Sequence, residues 1–166
     1  TRTEKEATID ELGILLRNLF QAQDLALEPG AELIVSCVVP PMITTIEGFA
    51  LRYLQQRPMW VGPGIKTGMP ILYDNPREVG ADRIVNAVAA YEKVHGPVIV
   101  VDFGTATTFD VVSRQGEYLG GVIAPGVMIS CEALFLKASK LPRVEIFAKP
   151  KSIIAKDTIS SMNAGI

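Results

Sequence analysis

The chain has 166 residues and a formal net charge of −2, with no two basic residues adjacent. That balance excludes a polyanion-binding face of the usual clustered kind and a basic tail. Hydrophobic residues make up 48% and charged residues 20%, enough to bury one ordinary core or two small ones.

Cys37 and Cys131 stand far apart in apolar segments. They match no metal-ligand spacing, and a reduced, cytoplasmic compartment is the default expectation. The longest apolar runs are too short to span a bilayer, and the start is not signal-like. The first residue is Thr1 rather than Met, so we expect the natural protein to carry residues before it.

Thr8-Ile9-Asp10-Glu11 is a capping-box pattern. Ile9, Leu12, Leu15, Leu16, Leu19 and Phe20 follow at helical spacing, which predicts a helix to about Gln23. Residues 33–39 are apolar and rich in β-branched side chains, and Pro40-Pro41 stops them; this predicts a buried strand. Residues 42–56 read as a helix, and a helix between apolar strands indicates α/β architecture. Residues 57–75 hold Pro58, Pro63, Pro70, Gly62, Gly64 and Gly68 and read as an irregular loop anchored by Trp60, of a length that is often functional. Pro76 opens a helix whose body runs from Gly80 or Ala81 to His95, with Ile84, Val88 and Tyr91 inward. Asp82 and Asn86 fall off that stripe.

Gly96-Pro97 stops this helix and marks a boundary, giving one domain over 1–95 and another over 96–166. Residues 98–102 and 107–113 read as strands, Gln115-Gly116 as a hairpin turn, and residues 118–124 as a third strand closed by Pro125-Gly126. A helix over 127–137, a strand over 143–147 and a last helix capped at Asp157-Thr158 complete the chain.

Three constellations carry possible chemistry. In Asp102-Phe103-Gly104-Thr105-Ala106-Thr107-Thr108, a strand delivers a carboxylate that can hold a cation. Gly104 lets a phosphate approach backbone N–H groups, and Thr105, Thr107 and Thr108 offer hydroxyl donors. The pattern is not a Walker loop, and an ordinary β-turn with threonines chosen for strand propensity also fits. In Gly120-Gly121-Val122-Ile123-Ala124-Pro125-Gly126, paired glycines could seat a flat ring such as adenine, or mark a bulge and the turn into a helix. In Tyr73-Asp74-Asn75-Pro76-Arg77-Glu78-Val79-Gly80-Ala81-Asp82-Arg83, Asp82 sits in a first helical turn. It could accept a hydroxyl proton in phosphoryl transfer, or simply complement the helix dipole. Arg83 reads equally as a solvated surface charge. His95, the lone histidine, suits a helix C-terminus as a structural cation.

The order Y-D-N-P-R-E-V-G-A-D-R, D-F-G-T-A-T-T-F-D, G-G-V-I-A-P-G resembles the type III pantothenate kinase family, which performs the first step of coenzyme A synthesis. Ser36-Cys37-Val38-Val39-Pro40 is similar to the family's S-x-V-V-P, and Thr158 with Ser161-Met162 to its T-x-x-S-M. The resemblance implies an α/β, actin-like ATPase (ribonuclease H-like) fold of two similar domains with mixed sheets flanked by helices, incomplete here. It implies ATP-dependent phosphorylation of pantothenate, with Asp82 taking the hydroxyl proton. Tyr73, Gly80, Ala81, Asp82, Arg83 and Thr158 would bind pantothenate, Arg83 through its carboxylate. Gly104 and Thr105 would contact ATP, Asp102 would hold potassium or ammonium, and Mg²⁺ would accompany the ATP phosphates. The resemblance also implies a homodimer with no nucleic acid or membrane partner.

The family opens with D-x-G-N-T, which does not occur in this chain, and Ile166 falls inside the helix after Thr158. A piece of this extent is expected to lack half a nucleotide cleft and to turn over no ATP by itself. Two other readings compete: a non-catalytic regulatory or accessory member of the same family, and a kinase for another small alcohol.

Overall fold

The structure is a computed structural model that describes residues 4–144 and 150–166. It is mixed α/β, with one parallel and one antiparallel sheet. The chain divides into two compact units, Thr1–Ala89 and Ala90–Ile166. The division falls inside a helix, six residues before the boundary expected at Gly96.

The first unit starts with α1 (Ile9–Gln21). Its capping box is complete: Glu11 N–H donates to Thr8 Oγ1 (3.3 Å), and Thr8 N–H donates to Glu11 Oε2 (2.8 Å). Such a cap is worth about 1 kcal/mol. β1 is only Ile34–Ser36, shorter than the apolar run around it. Val39 caps α2 (Pro40–Phe49), so the two prolines open the helix as well as stopping the strand. The helix continues as one π-helical segment, Ala50–Leu54, which ends where Gln55 turns left-handed (φ 57°).

β2 (Met59–Val61) lies inside the stretch read as irregular loop. It pairs parallel to β1, with Ile34 opposite Met59 and Ser36 opposite Val61. A parallel pair needs a crossover, and α2 supplies it. Trp60, the expected anchor, is half-buried on this strand. Phe49, Ala50, Leu54, Val61, Met69 and Val79 are buried in this unit. α3 (Ala81–Val94) follows a short 3₁₀ turn at Pro76–Glu78 and closes at His95, whose φ is 51°.

The second unit is a three-stranded antiparallel meander with two further helices. β3 (Val98–Phe103), β4 (Ala106–Val112) and β5 (Tyr118–Pro125) pair in sequence order. Gly116 (φ 78°) makes the β4–β5 turn, where Ser113 Oγ donates to Glu117 Oε2 (2.8 Å). β5 carries one extra residue: Val111 pairs with Gly120, but Val112 pairs with Tyr118. Gly120, at φ 113°, takes the backbone conformation this bulge requires. α4 (Val127–Lys137) has the expected bounds. α5 (Thr158–Gly165) is capped by Asp157, which accepts from Ser160 N–H (2.8 Å). Arg143 and Val144 lie in irregular chain, and residues 145–147 of the expected strand fall outside the described residues.

A surface cluster ties α1 to the segment after α2. Arg52 Nη1 and Tyr53 Oη donate to Asp10 Oδ1 (2.7 and 2.9 Å). The Arg52 bond foremost, then Tyr53, holds the Asp10 carboxyl below its ordinary range. A carboxyl depressed in the folded state contributes stability above its unfolded pKa, and that contribution disappears as pH falls through the folded value. The pair is exposed, so the effect is modest and salt-sensitive. Asp10→Asn is therefore expected to lower the melting temperature slightly at pH 7 in low salt. Melts taken from pH 7 to pH 3 should show the two proteins converging on the acid side. A gap that persists unchanged at pH 3 would remove the electrostatic account.

Candidate functional site

Of the residues singled out in the first unit, Gly80, Ala81, Asp82 and Arg83 stand at the start of α3. Asn75 organises the approach: its side-chain oxygen accepts from Arg77 N–H (3.3 Å) and its amide donates to Glu78 Oε1 (2.8 Å). Val79 is buried, and the Gly80 carbonyl accepts the first helical bond from Ile84 N–H (3.2 Å). Asp82 then turns back over the helix end. Its Oδ1 accepts from Arg83 N–H (2.9 Å) and lies 2.5 Å from where a Cβ on residue 80 would stand. Glycine at 80 is what leaves the carboxylate that place. One backbone donor uses only part of its accepting capacity, so the group can still receive a hydroxyl proton.

Arg83 is 8% exposed, so it is no solvated surface charge. Gly80, Ala81 and Tyr73 are half-buried. A buried guanidinium beside a half-buried carboxylate is costly to build, and a planar bidentate donor suits recognition of a substrate carboxylate. A cavity of about 800 Å³ in this unit is lined by α1, Cys37–Val39 and Met42 and does not include Asp82.

In the second unit the β3–β4 turn holds the other candidates. Asp102 pairs with Thr108 and Phe103 with Thr107, leaving Gly104, Thr105 and Ala106 between the last paired residues. Gly104 N–H donates to the Ala106 carbonyl (3.0 Å). A Cβ on residue 104 would meet Ala106 O at 3.5 Å, an ordinary contact, so the protein itself does not demand glycine there. Asp102, Gly104 and Thr105 are exposed. Thr107 is 7% exposed, and Thr108 Oγ1 donates inward to Asp110 Oδ2 (3.1 Å). The sequence offered three hydroxyl donors here; of these Thr105 is the exposed one, since Thr107 is buried and the Thr108 hydroxyl is engaged by Asp110.

Gly126 has the opposite character to Gly104. A Cβ there would stand 2.5 Å from Gly104 O and closer still to Thr105 O. Its φ is −67°, so the requirement is steric rather than conformational. Gly126 N–H donates to Thr105 O (3.1 Å). This contact sets the N-terminus of α4, which has no side-chain cap, against the turn. Uncapped first-turn N–H groups and the positive end of the helix dipole favour an anion at this corner. The adenine-platform reading of the glycine run gains no support at Gly120 and Gly126, which serve the bulge and this close approach.

Asp102 is the Cα partner of Thr108 across the ladder, and its carboxylate is an oxygen donor of the kind hard cations prefer. Thr158, the first residue of α5, is exposed at the rim of a groove of about 640 Å³ shared with Leu134, Leu141 and Met162. Ser160 N–H, bonded to the Asp157 carboxylate beside it, holds that carboxyl below its usual range. The sequence reading missed Asp110, which is fully buried, and the steric role of Gly126. The signal for Asp110 was present: an acid two residues after Thr108 in a β-run shares its face.

A sequence profile of the type III pantothenate kinase family matches residues 1–166. The type III pantothenate kinase of Syntrophobacter fumaroxidans is 64% identical over 165 residues, 99% of this chain and 64% of its own length. Those of Syntrophus aciditrophicus and Geobacter sulfurreducens are 62% and 61% identical, again over 99% of this chain, and over 65% and 64% of their own. This chain thus spans a little less than two thirds of the relatives it matches. A solved chain from Campylobacter jejuni, described as a Baf family transcriptional activator, shares the fold at TM-score 0.53 and 18% identity, over 89% of this chain and 63% of that one. The whole-length profile match and the three relatives agree, and the chain belongs to the type III pantothenate kinase family.

Proposed function

We propose that the protein transfers the terminal phosphate of ATP to the hydroxyl of pantothenate, giving 4'-phosphopantothenate in the first step of coenzyme A synthesis. The observation that carries this is the family match across residues 1–166. Asp82 accepts the hydroxyl proton as the oxygen attacks phosphorus, and ADP leaves. Arg83 pairs with the pantothenate carboxylate. Tyr73, Gly80, Ala81 and Thr158 complete that pocket, while Gly104 and Thr105 contact ATP. Asp102 holds the monovalent cation, potassium or ammonium, which with the Mg²⁺ of ATP supplies positive charge for the phosphate oxygens. The fold is read as actin-like in two similar domains, 1–95 and 96–166, working as a cytoplasmic homodimer. The description of the Campylobacter jejuni chain does not favour a regulatory reading, because 18% identity carries fold alone. No helix among the described residues is long and apolar enough to cross a membrane.

Asp82→Asn in the intact protein is expected to lower kcat by about 10²–10⁴-fold while circular dichroism and melting stay near wild type. Gly80→Ala should behave similarly but more mildly, since the new methyl displaces the Asp82 carboxylate, the movable end of a side chain. Pantothenate-dependent ADP release unchanged in Asp82→Asn would refute the base assignment. No pantothenate-dependent release from the wild-type protein would refute the proposed reaction.

Gly126→Ala probes the turn. Its Cβ meets backbone carbonyls, which cannot swing away, so a loss of about 1–3 kcal/mol in stability is expected. ATP affinity, measured by titration calorimetry below the melting range, should fall with it. Unchanged stability and affinity would mean that the turn and α4 are not in fact braced against each other.

A further inference from the structure

We infer that Asp110 is a positioning residue for the ATP side of the site, acting through the hydroxyl of Thr108. The inference rests on the kinase reading of the Asp102–Thr108 turn and assigns a role to two residues which that reading leaves idle.

Asp110 is fully buried, with no exposed surface at all. A carboxylate so placed is tolerated only where donors satisfy it. Tyr118 Oη donates to its Oδ1 (2.7 Å) and Thr108 Oγ1 to its Oδ2 (3.1 Å). Tyr118 is itself 0% exposed. The sheet register explains why these three meet. Thr108, Asp110 and Val112 are alternate residues of β4 and share a face. An unbroken ladder would pair Tyr118 with Ser113 and put the ring on the other face. The extra residue in β5 pairs Tyr118 with Val112 instead, on the face of Asp110. Asp110 itself is opposite Gly121, which brings no side chain to that position.

The chain of contacts therefore runs outward from a fixed point. The bulge sets Tyr118, Tyr118 and the buried face set Asp110, and Asp110 holds Thr108. Thr108 is the Cα partner of Asp102 and stands two residues after the Thr105-Ala106 end of the turn. Its only hydroxyl proton is committed inward, so toward Asp102 it presents lone pairs alone. Asp110 in this way fixes both the rotamer of Thr108 and the polarity of the surface beside Asp102.

The test uses the intact protein and four variants: Asp110→Asn, Thr108→Val, Thr108→Ser and the Asp110→Asn/Thr108→Val double. ATP dissociation constants come from titration calorimetry with Mg²⁺ and K⁺ present, and KM is measured for both substrates. Asp110→Asn and Thr108→Val should each weaken ATP binding by about tenfold, the scale of a hydrogen bond to a charged group, and leave the pantothenate KM within about twofold. Thr108→Ser, which keeps the hydroxyl, should recover most of what Thr108→Val loses. The double variant should be no weaker than the worse single, because both break one chain. A merely structural role would lower the folded fraction and kcat without moving the ATP constant. Unchanged ATP affinity in Thr108→Val, or losses that multiply in the double, overturns the inference. Should Asp110→Asn fail to fold, the Val–Ser contrast at position 108 decides alone. A wild-type protein that binds no ATP overturns the kinase reading, and this inference with it; a competent wild type with indifferent variants overturns only the inference.

Discussion

The backbone of Gly126 lies so close to the carbonyls of Gly104 and Thr105 that no side chain fits between them. That contact joins the turn between β3 and β4 to the first turn of α4, which the sequence separates by the whole of β4 and β5. The β3–β4 ladder fixes the turn from one side, through the Asp102–Thr108 and Phe103–Thr107 pairs. The hydrogen bond from Gly126 N–H to Thr105 O fixes it from the other. A turn held from two sides by backbone has little freedom to relax around a ligand. It is therefore preorganised, and its exposed groups keep their directions without the cost of ordering them on binding. The contrast between the glycines makes the point. Gly126 is demanded by the protein, whereas Gly104 meets only ordinary contact and leaves its space to a ligand.

Phosphoryl transfer asks little covalent chemistry of a protein and much positioning. The distribution of polar groups in this chain fits that demand. At α3 a single carboxylate is bent over Gly80 and steadied by the next residue's N–H. In the second unit the exposed polar residues of the turn are Asp102 and Thr105, while Thr107 is buried and Thr108 is bonded to Asp110. Both sites use a helix N-terminus, where donors not consumed by the helix face outward. Both place a glycine immediately before the first helical residue, and in each case the missing Cβ makes room for oxygen: a carboxylate at Gly80, carbonyls at Gly126.

Much of this could be read from the residues alone, and the reasons for the failures are physical. Thr8-x-x-Glu11 and Asp157 announce their helices because a cap is a local event, settled within four residues. The β3–β4–β5 meander was legible because its turns are short and its period is two. β2 was not: Met59-Trp60-Val61 is too short to show alternation, and its pairing with β1 crosses a whole helix. Residues flanked by Pro58 and Gly62 looked like loop because their only support is non-local. The buried state of Arg83 was missed for a similar reason. Charge predicts exposure on average, and this guanidinium is an exception that residue type alone does not reveal. Asp82, Gly104 and Thr105 were legible as candidates through residue type and order, but the burial of Thr107, on the face opposite Asp110, could not be read from the motif.

The bulge in β5 shows how far one residue of register reaches. Leu119 adds one position between Gly120 and Tyr118, and every side chain before it changes face. With the bulge, a phenol hydroxyl arrives on a buried carboxylate and donates to it. Without it, the fully buried Asp110 would lose that donor, and Tyr118 would change to the other face. A buried acid is a poor way to gain stability, since an apolar residue of similar volume packs there without desolvation. Its presence is better explained by direction: a carboxylate accepts along defined lone pairs, and an apolar side chain has no such preference. The buried acid therefore specifies where Thr108 points, and Thr108 is the residue across the ladder from Asp102.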